Sequence, residues 1–254
     1  MTHILNLPIV PSFSAELPAD KNEENISRQV PNACFSWVKT LEPSNPQLIH
    51  FSSKLLKEIG VEVENKAEFT EVFSGKKSYN DFKSYAMCYG GHQFGHWAGQ
   101  LGDGRAINIA ETEKDGKSFK FQLKGAGPTP YSRSADGLAV LRSSIREYLC
   151  SEAMNALGIP TTRALSLIAT GDLVPRDMLY NGNVEEEQGA VVCRVAPSFI
   201  RFGSFEIFAS RQDEKTLKLL VESLRNLKVQ SFLRPIKIVM IWWHRGGIRF
   251  HRND

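Results

Sequence analysis

Apolar and polar positions alternate most regularly over residues 119–124. Phe119, Phe121 and Leu123 share one face; Lys120, Gln122 and Lys124 share the other. A period of two predicts a β-strand. A second alternating run, residues 105–111, places Ile107 and Ile109 together. Between the two lies TEKDGKS, whose Asp115-Gly116 is a two-residue turn signal, so the pair predicts a β-hairpin. Upstream, SSKLLKEIG (residues 52–60) predicts a short helix with a serine cap and a closing Gly60, and a second helix is expected at 66–73. Downstream, Leu138, Leu141, Ile145 and Leu149 step by three and four, which predicts a long helix over 138–157. Asp136 would cap it; Gly158 and Pro160 would stop it. Two further strand-like runs, 161–169 and 190–196, flank a turn signal at Asn181-Gly182. The whole reads as an α+β fold with an antiparallel sheet and one prominent helix.

Residues 1–45 are rich in Pro, Ser and Asn and read as an extended arm. The anchors in PNACFSWVKTLEPSNPQLIHFS predict that it packs against the rest. At 254 residues, with 42% apolar and 23% charged side chains, the composition is that of a globular protein of one large or two small domains. A net charge of only +3 supplies no global basic field, which argues against a nucleic-acid partner. Cys34, Cys88, Cys150 and Cys193 are scattered without a CxxC pair, which argues against a zinc ribbon or disulfide scaffold and fits a reducing cytoplasm. No signal-peptide pattern opens the chain, and the longest apolar run, 236–243, is too short to span a bilayer, so no membrane role is expected. Charge is unevenly placed. Residues 215–254 carry nine Lys/Arg against two acids, a net +7, leaving −4 for residues 1–214. Three segments follow: an N-terminal extension over 1–89, a central lobe over 90–213, and a basic tail over 214–254.

The chemistry concentrates in the central segment. GGHQFGHWAGQLGDGR, residues 90–105, holds six glycines. Glycines let backbone N–H groups approach phosphate oxygens closely, although many such stretches are only flexible connections. No GKS or GKT follows, and no strand–GxGxxG–helix order is present, so neither a Walker loop nor a dinucleotide fingerprint is indicated. His92 and His96 have zinc-helix spacing. They lack the HExxH glutamate, and the surrounding glycines would spoil a helix, so structural packing is the expectation. Lys124 ends its strand pointing away from Phe119, Phe121 and Leu123. Gly102 lies 22 residues before it and Glu147 lies 23 after it, in mid-helix. Glycine loop, strand, strand with Lys, helix with Glu is the order of a kinase-like small lobe. A solvated strand end and an unpaired helix glutamate are the competing readings. Glu147 shares a line with Val140, Ser144 and Ser151, beside the apolar stripe, and no basic residue precedes it at ion-pair spacing. Arg194 interrupts VVCRV and Arg201 interrupts SFIRFG. A guanidinium in apolar surroundings needs an anionic partner, either a phosphate or a buried carboxylate.

Together GGHQFGHWAGQLGDGRA, LKGAGPTPYSRSADGLAVLRSSIREYLCSEAMNALGIPTTRAL and VVCRVAPSFIRFGSFE resemble the selenoprotein O family, also called the YdiU family, over about residues 32–211. The resemblance implies a protein-kinase-like fold. It implies transfer of AMP from ATP to Ser, Thr or Tyr hydroxyls of proteins with Mg2+ or Mn2+, the nucleotide lying flipped relative to a kinase. It implies that Gly102, Gly104, Arg105, Lys124, Asp136, Gly137, Arg194 and Arg201 line the nucleotide site and that Glu147 pairs with Lys124. In the family a second lobe supplies a catalytic Asp, in a stretch like HGVMNTDN, and then a metal-binding Asp in a DFG-like stretch. Neither stretch occurs here. After about Leu220 the sequence departs from the family and resembles a shifted reading frame, and His251-Arg252-Asn253-Asp254 does not substitute for an HRD loop. The expectations are therefore two: the nucleotide-binding lobe of an adenylyltransferase, or a truncated, inactive chain that at most binds nucleotide. A true kinase is disfavoured, because residues 90–105 are unlike a GxGxxGxV loop.

Overall fold

The computed structural model describes residues 2–226. The basic tail beyond 226, with its apolar run and the His251–Asp254 stretch, lies outside the described residues. The order begins β1 (Thr2–His3), α1 (Phe13–Glu16), β2 (Phe35–Trp37), β3 (Gln47–Phe51), α2 (Ser53–Ile59), β4 (Val61–Glu62), α3 (Lys66–Ser74) and β5 (Tyr85–Met87). It continues with β6 (Gly90–Gln93), β7 (His96–Gln100), β8 (Ala106–Lys114), β9 (Lys117–Lys124), α4 (Leu141–Ala156), β10 (Arg163–Arg176), β11 (Glu185–Ala196), α5 (Phe202–Ser210) and α6 (Glu214–Asn226).

Seven strands form one antiparallel sheet in the order β2-β5-β8-β9-β11-β10-β3. Strands from before residue 90 thus pair with strands from after it. The β8–β9 hairpin closes through Asp115 (φ 51°) and Gly116 (φ 74°), as the DG signal predicts. Ser52 accepts the Leu55 N–H at 3.2 Å and Gly60 is left-handed (φ 80°), so α2 begins and ends where its caps place it. Among the described residues no helix is long and apolar enough to cross a membrane.

Both faces of the sheet are covered. Phe121, Leu123, Ile107, Leu165, Val191 and Cys193 pack beneath α2 and α3 in the main apolar core. On the opposite face α4 covers Ala164, Leu167, Ala190 and Val192. There α1, α5 and α6 pack with Phe35, Tyr85 and Ala196. Between these two patches runs a polar strip. Register sets Lys124 opposite Val192, Gln122 opposite Arg194 and Lys120 opposite Ala196, with Asn108 and Glu111 beside Gln122 and Lys120 on β8. The alternation in residues 119–124 was therefore legible, but its polar side faces the interior: Lys120 and Gln122 are buried.

Glu111 and Lys120 form a buried ion pair. The Glu111 carboxylate also accepts from Ser12 N (2.8 Å), Phe13 N (2.9 Å), Ser14 N (3.0 Å) and Ser12 Oγ (2.8 Å). It thereby caps α1 and fastens the N-terminal arm to the sheet. Burial alone would raise the Glu111 pKa. Lys120 and the Ser12 donors outweigh it and hold the carboxyl at about 2.

Three expectations are corrected. The long helix starts at Leu141, after an N-cap at Val140 that has no side-chain cap. Asp136 accepts the Leu138 N–H but turns its carboxylate to Arg176, so it is not the cap. The stripe Leu138, Leu141, Ile145 and Leu149 is not the buried face either. Ile145 and Leu149 are 39% and 60% exposed, and the helix buries Ser144 and Tyr148 instead. Tyr148 fills the space over Ala164 and Leu167. The glycine-rich stretch also folds as a hairpin, β6–β7, turning at Phe94 (φ 52°) and Gly95 (φ 81°).

Lys120→Met should cost about 3–5 kcal/mol, because it leaves the Glu111 charge buried without its counter-ion; a urea melt with unchanged slope checks this. Because the folded Glu111 pKa lies below its ordinary 4.5, its stabilisation is complete above pH 4.5 and fades as pH falls toward 2. Glu111→Gln should remove that acid sensitivity, read in melts across this window.

Candidate functional site

A cavity of about 700 Å³ opens between the glycine-rich segment, the loop over 131–138, the end of β9, β11 and the start of α5. Its size suits a nucleotide-sized ligand. Gly102, Gly104, Arg105, Lys124, Asp136, Gly137, Arg194 and Arg201 all line it. Glu147 stands behind Lys124 and lines a second cavity of about 390 Å³ on the α4 side, which shares Arg105 and Lys124. The structure thus brings all nine sequence-predicted residues into one neighbourhood.

Lys124 ends β9 on the polar face, and α4 brings Glu147 Oε2 to 2.5 Å from its Nζ. Burial lowers the Lys124 pKa; Glu147 opposes this, while Arg194 and Arg105 add to it. Arg194 sits across the strand pair from Gln122 and donates to its Oε1 through Nη2. Its Nη1 lies 3.5 Å from Glu147 Oε1, and its guanidinium packs over Phe199. Arg201 is the N-cap of α5. It stacks on Tyr89 at 4.7 Å and lies 3.7 Å from Asp103 Oδ1. Of the two partners open to these arginines, the structure supplies carboxylates for both.

Those carboxylates do not balance the charge. Among the described residues Arg105, Lys124, Arg133, Arg176, Arg194 and Arg201 line the main cavity against only Asp103 and Asp136, with Glu147 behind. Such a cationic surplus in a concave site favours a multiply charged anion.

The glycines act differently from the expected backbone cradle. The Gly102 N–H donates to Tyr89 O at 3.0 Å and the Gly104 N–H to Gly102 O at 3.0 Å, so both are engaged within the protein. Their smallness is used in packing. A Cβ on Gly102 (φ 67°) would lie 2.3 Å from the Tyr131 ring, and one on Gly137 (φ 74°) would lie 2.2 Å from Gly127 O. These two positions let the loop over 127–137 fold down onto the glycine-rich segment. Asp136 is held by Arg176 at 2.6 Å, and the Arg176 hydrogen bonds lower its pKa against the opposing effect of burial. His92 and His96 lie exposed on the β6–β7 hairpin, His92 edge-on to Trp97. Among the described residues no three His, Cys, Asp or Glu side chains group as metal ligands.

Sequence reasoning missed Asp103, Gln122, Tyr89, Arg133 and Arg176. Asp103 lay in plain view inside GDGR, but nothing in its surroundings showed that it is buried. Gln122 shares the alternate face with Lys124, which was the available signal.

An antiparallel sheet and a glutamate-bearing helix around a cationic cavity define the class: an α+β domain. Comparison with known proteins names the family. The family model described as "Protein adenylyltransferase SelO" matches residues 20–230. The chain is 62% identical over 219 residues to a protein nucleotidyltransferase YdiU of Flavobacterium johnsoniae, covering 85% of this chain and 42% of that relative. It is 59% identical to the protein of the same name from Rhodopirellula baltica, covering 83% and 39%, and 55% identical to that of Methylobacillus flagellatus, covering 83% and 41%. The chain belongs to the protein adenylyltransferase SelO family. It spans about two fifths of the length of these relatives. The match starts before residue 32 and runs past residue 211, and so exceeds the range expected from the motifs.

Glu147→Gln should lower the Lys124 pKa further, because burial, Arg194 and Arg105 then act with less opposition. Carbon-13 NMR titration of the lysine side chains checks the direction.

Proposed function

We propose that this chain carries the ATP-binding lobe of a protein adenylyltransferase, in a protein-kinase-like small-lobe arrangement. The supporting observation is the meeting of Lys124, held by Glu147, with Arg105, Arg194 and Arg201 at one cavity. The glycine-rich segment lies between β5 and β8, the lysine ends the next strand β9, and the glutamate lies on the following helix. That is the kinase-like order. All nine site residues fall within 90–213, the lobe expected from the sequence. Gly102, Gly104, Asp136 and Gly137 shape the wall, and Arg105, Lys124, Arg194 and Arg201 meet the phosphates.

In the reaction a Ser, Thr or Tyr hydroxyl oxygen of a protein attacks the α-phosphorus. The bond from that phosphorus to the bridging oxygen breaks, pyrophosphate leaves, and the hydroxyl proton passes to a base. Negative charge grows on the departing pyrophosphate, and fixed cations stabilise that charge most in the transition state. Mg2+ or Mn2+, which the resemblance implies, would neutralise phosphate charge; among the described residues no three His, Cys, Asp or Glu side chains group to hold it. A second reading, in which residues 2–226 bind ATP without transferring AMP, stands beside the first. The reducing cytoplasm remains the compartment proposed.

Calorimetry with ATP should show binding that weakens as salt rises. Lys124→Ala should weaken it about tenfold or more, the loss of a charge-assisted contact. Labelled ATP with Mg2+ or Mn2+ separates the two readings: AMP on protein, lost in Lys124→Ala, supports transfer by this chain. Binding without labelling supports the second reading, and no binding rejects both.

A further inference from the structure

We infer that Asp103 and Gln122 are positioning residues that preset Arg194 and Arg201 for the phosphates; the inference rests on the nucleotide reading above. Asp103, between the two site glycines, is fully buried. Its Oδ2 accepts from Met87 N at 3.2 Å and from Gln122 Nε2 at 3.1 Å, while its Oδ1 faces Arg201. Gln122 Nε2 also donates to Asn108 Oδ1 at 3.3 Å. With both amide hydrogens accepted, the Gln122 amide has one orientation, and its Oε1 must face Arg194. The result is a directed relay across the sheet: Arg201–Asp103–Gln122–Arg194–Glu147–Lys124. It joins the glycine-rich segment to the lysine–glutamate pair.

The relay restrains the arginines without using them up. Arg194 Nε is buried and has no hydrogen-bond partner among the described residues. Arg201 has, among the described residues, a single 3.7 Å carboxylate contact and remains 43% exposed at the cavity. A guanidinium offers five donors, so both arginines keep donors for a ligand while their planes are fixed. Buried charge is also a poor way to gain stability alone, since apolar residues of similar volume do as well.

The direction of the relay supplies the test. The Met87 N–H and Gln122 Nε2 hold the amide oxygen of Asp103→Asn on their side, so the variant turns its NH2 to Arg201 and leaves that guanidinium without its carboxylate. Gln122→Met removes the oxygen to which Arg194 donates and leaves Asp103 facing Arg201, so the two variants release the two arginines one at a time. On the full chain, calorimetry with ATP and with adenosine should show ATP about tenfold weaker in each variant and adenosine within about twofold. Thermal melts monitor folding. If Asp103→Asn unfolds, Gln122→Met carries the comparison. Unchanged ATP affinity, or equal weakening of ATP and adenosine, would overturn the positioning role. Wild-type chain that binds no ATP overturns the nucleotide reading itself, a separate outcome.

Discussion

The structure depends on how it keeps charge inside a sheet that is covered on both faces. β8, β9 and β11 place Glu111, Lys120, Asn108, Gln122 and Arg194 on one buried face, with Asp103 against them. Each charge taken from water must find a partner, or the sheet would not close. Cross-strand register supplies most of the partners: Glu111 beside Lys120, and Gln122 between Asn108 and Arg194. At one end this strip fastens the N-terminal arm. At the other it opens into the cavity, where cations outnumber carboxylates. One continuous polar strip is thus scaffold at one end and cavity wall at the other.

The two ends differ in solvent access. Glu111 and Lys120 are sealed, with side chains 1% and 3% exposed. Lys124 and Glu147 are about a quarter exposed. The sealed pair holds the N-terminal arm on the sheet, whereas a half-open pair can change partners. Arg194 links the regions, buried yet touching Glu147 at the cavity.

Where pattern and structure agree, the contacts are local. The Asp115-Gly116 turn, the Ser52 and Gly60 caps and the strand alternation each depend on neighbours a few residues away. The Lys124–Glu147 pair was legible because helix phase and strand phase each point to it. The disagreements have a different source. The α4 stripe misled because apolar spacing says that a helix has a face, not that this face meets the sheet. Asp136 looked like a cap, but Arg176, 40 residues on, made a stronger claim on its carboxylate. The glycine-rich stretch suggested free N–H groups, and the chain itself took them up.

By itself the sequence determined the β8–β9 hairpin, the capped helix α2, the strand that ends in Lys124, the helix that carries Glu147 and the family. These follow from local periodicity, turn chemistry and long unbroken motifs. Only the tertiary structure decided that the polar side of β9 faces inward, that Asp103 is buried, and that Arg176 and Arg133 reach the same cavity as Arg194. Burial and charge partnership are properties of segments meeting across tens of residues, and alternation along one strand cannot say whether its polar side meets water or another part of the chain.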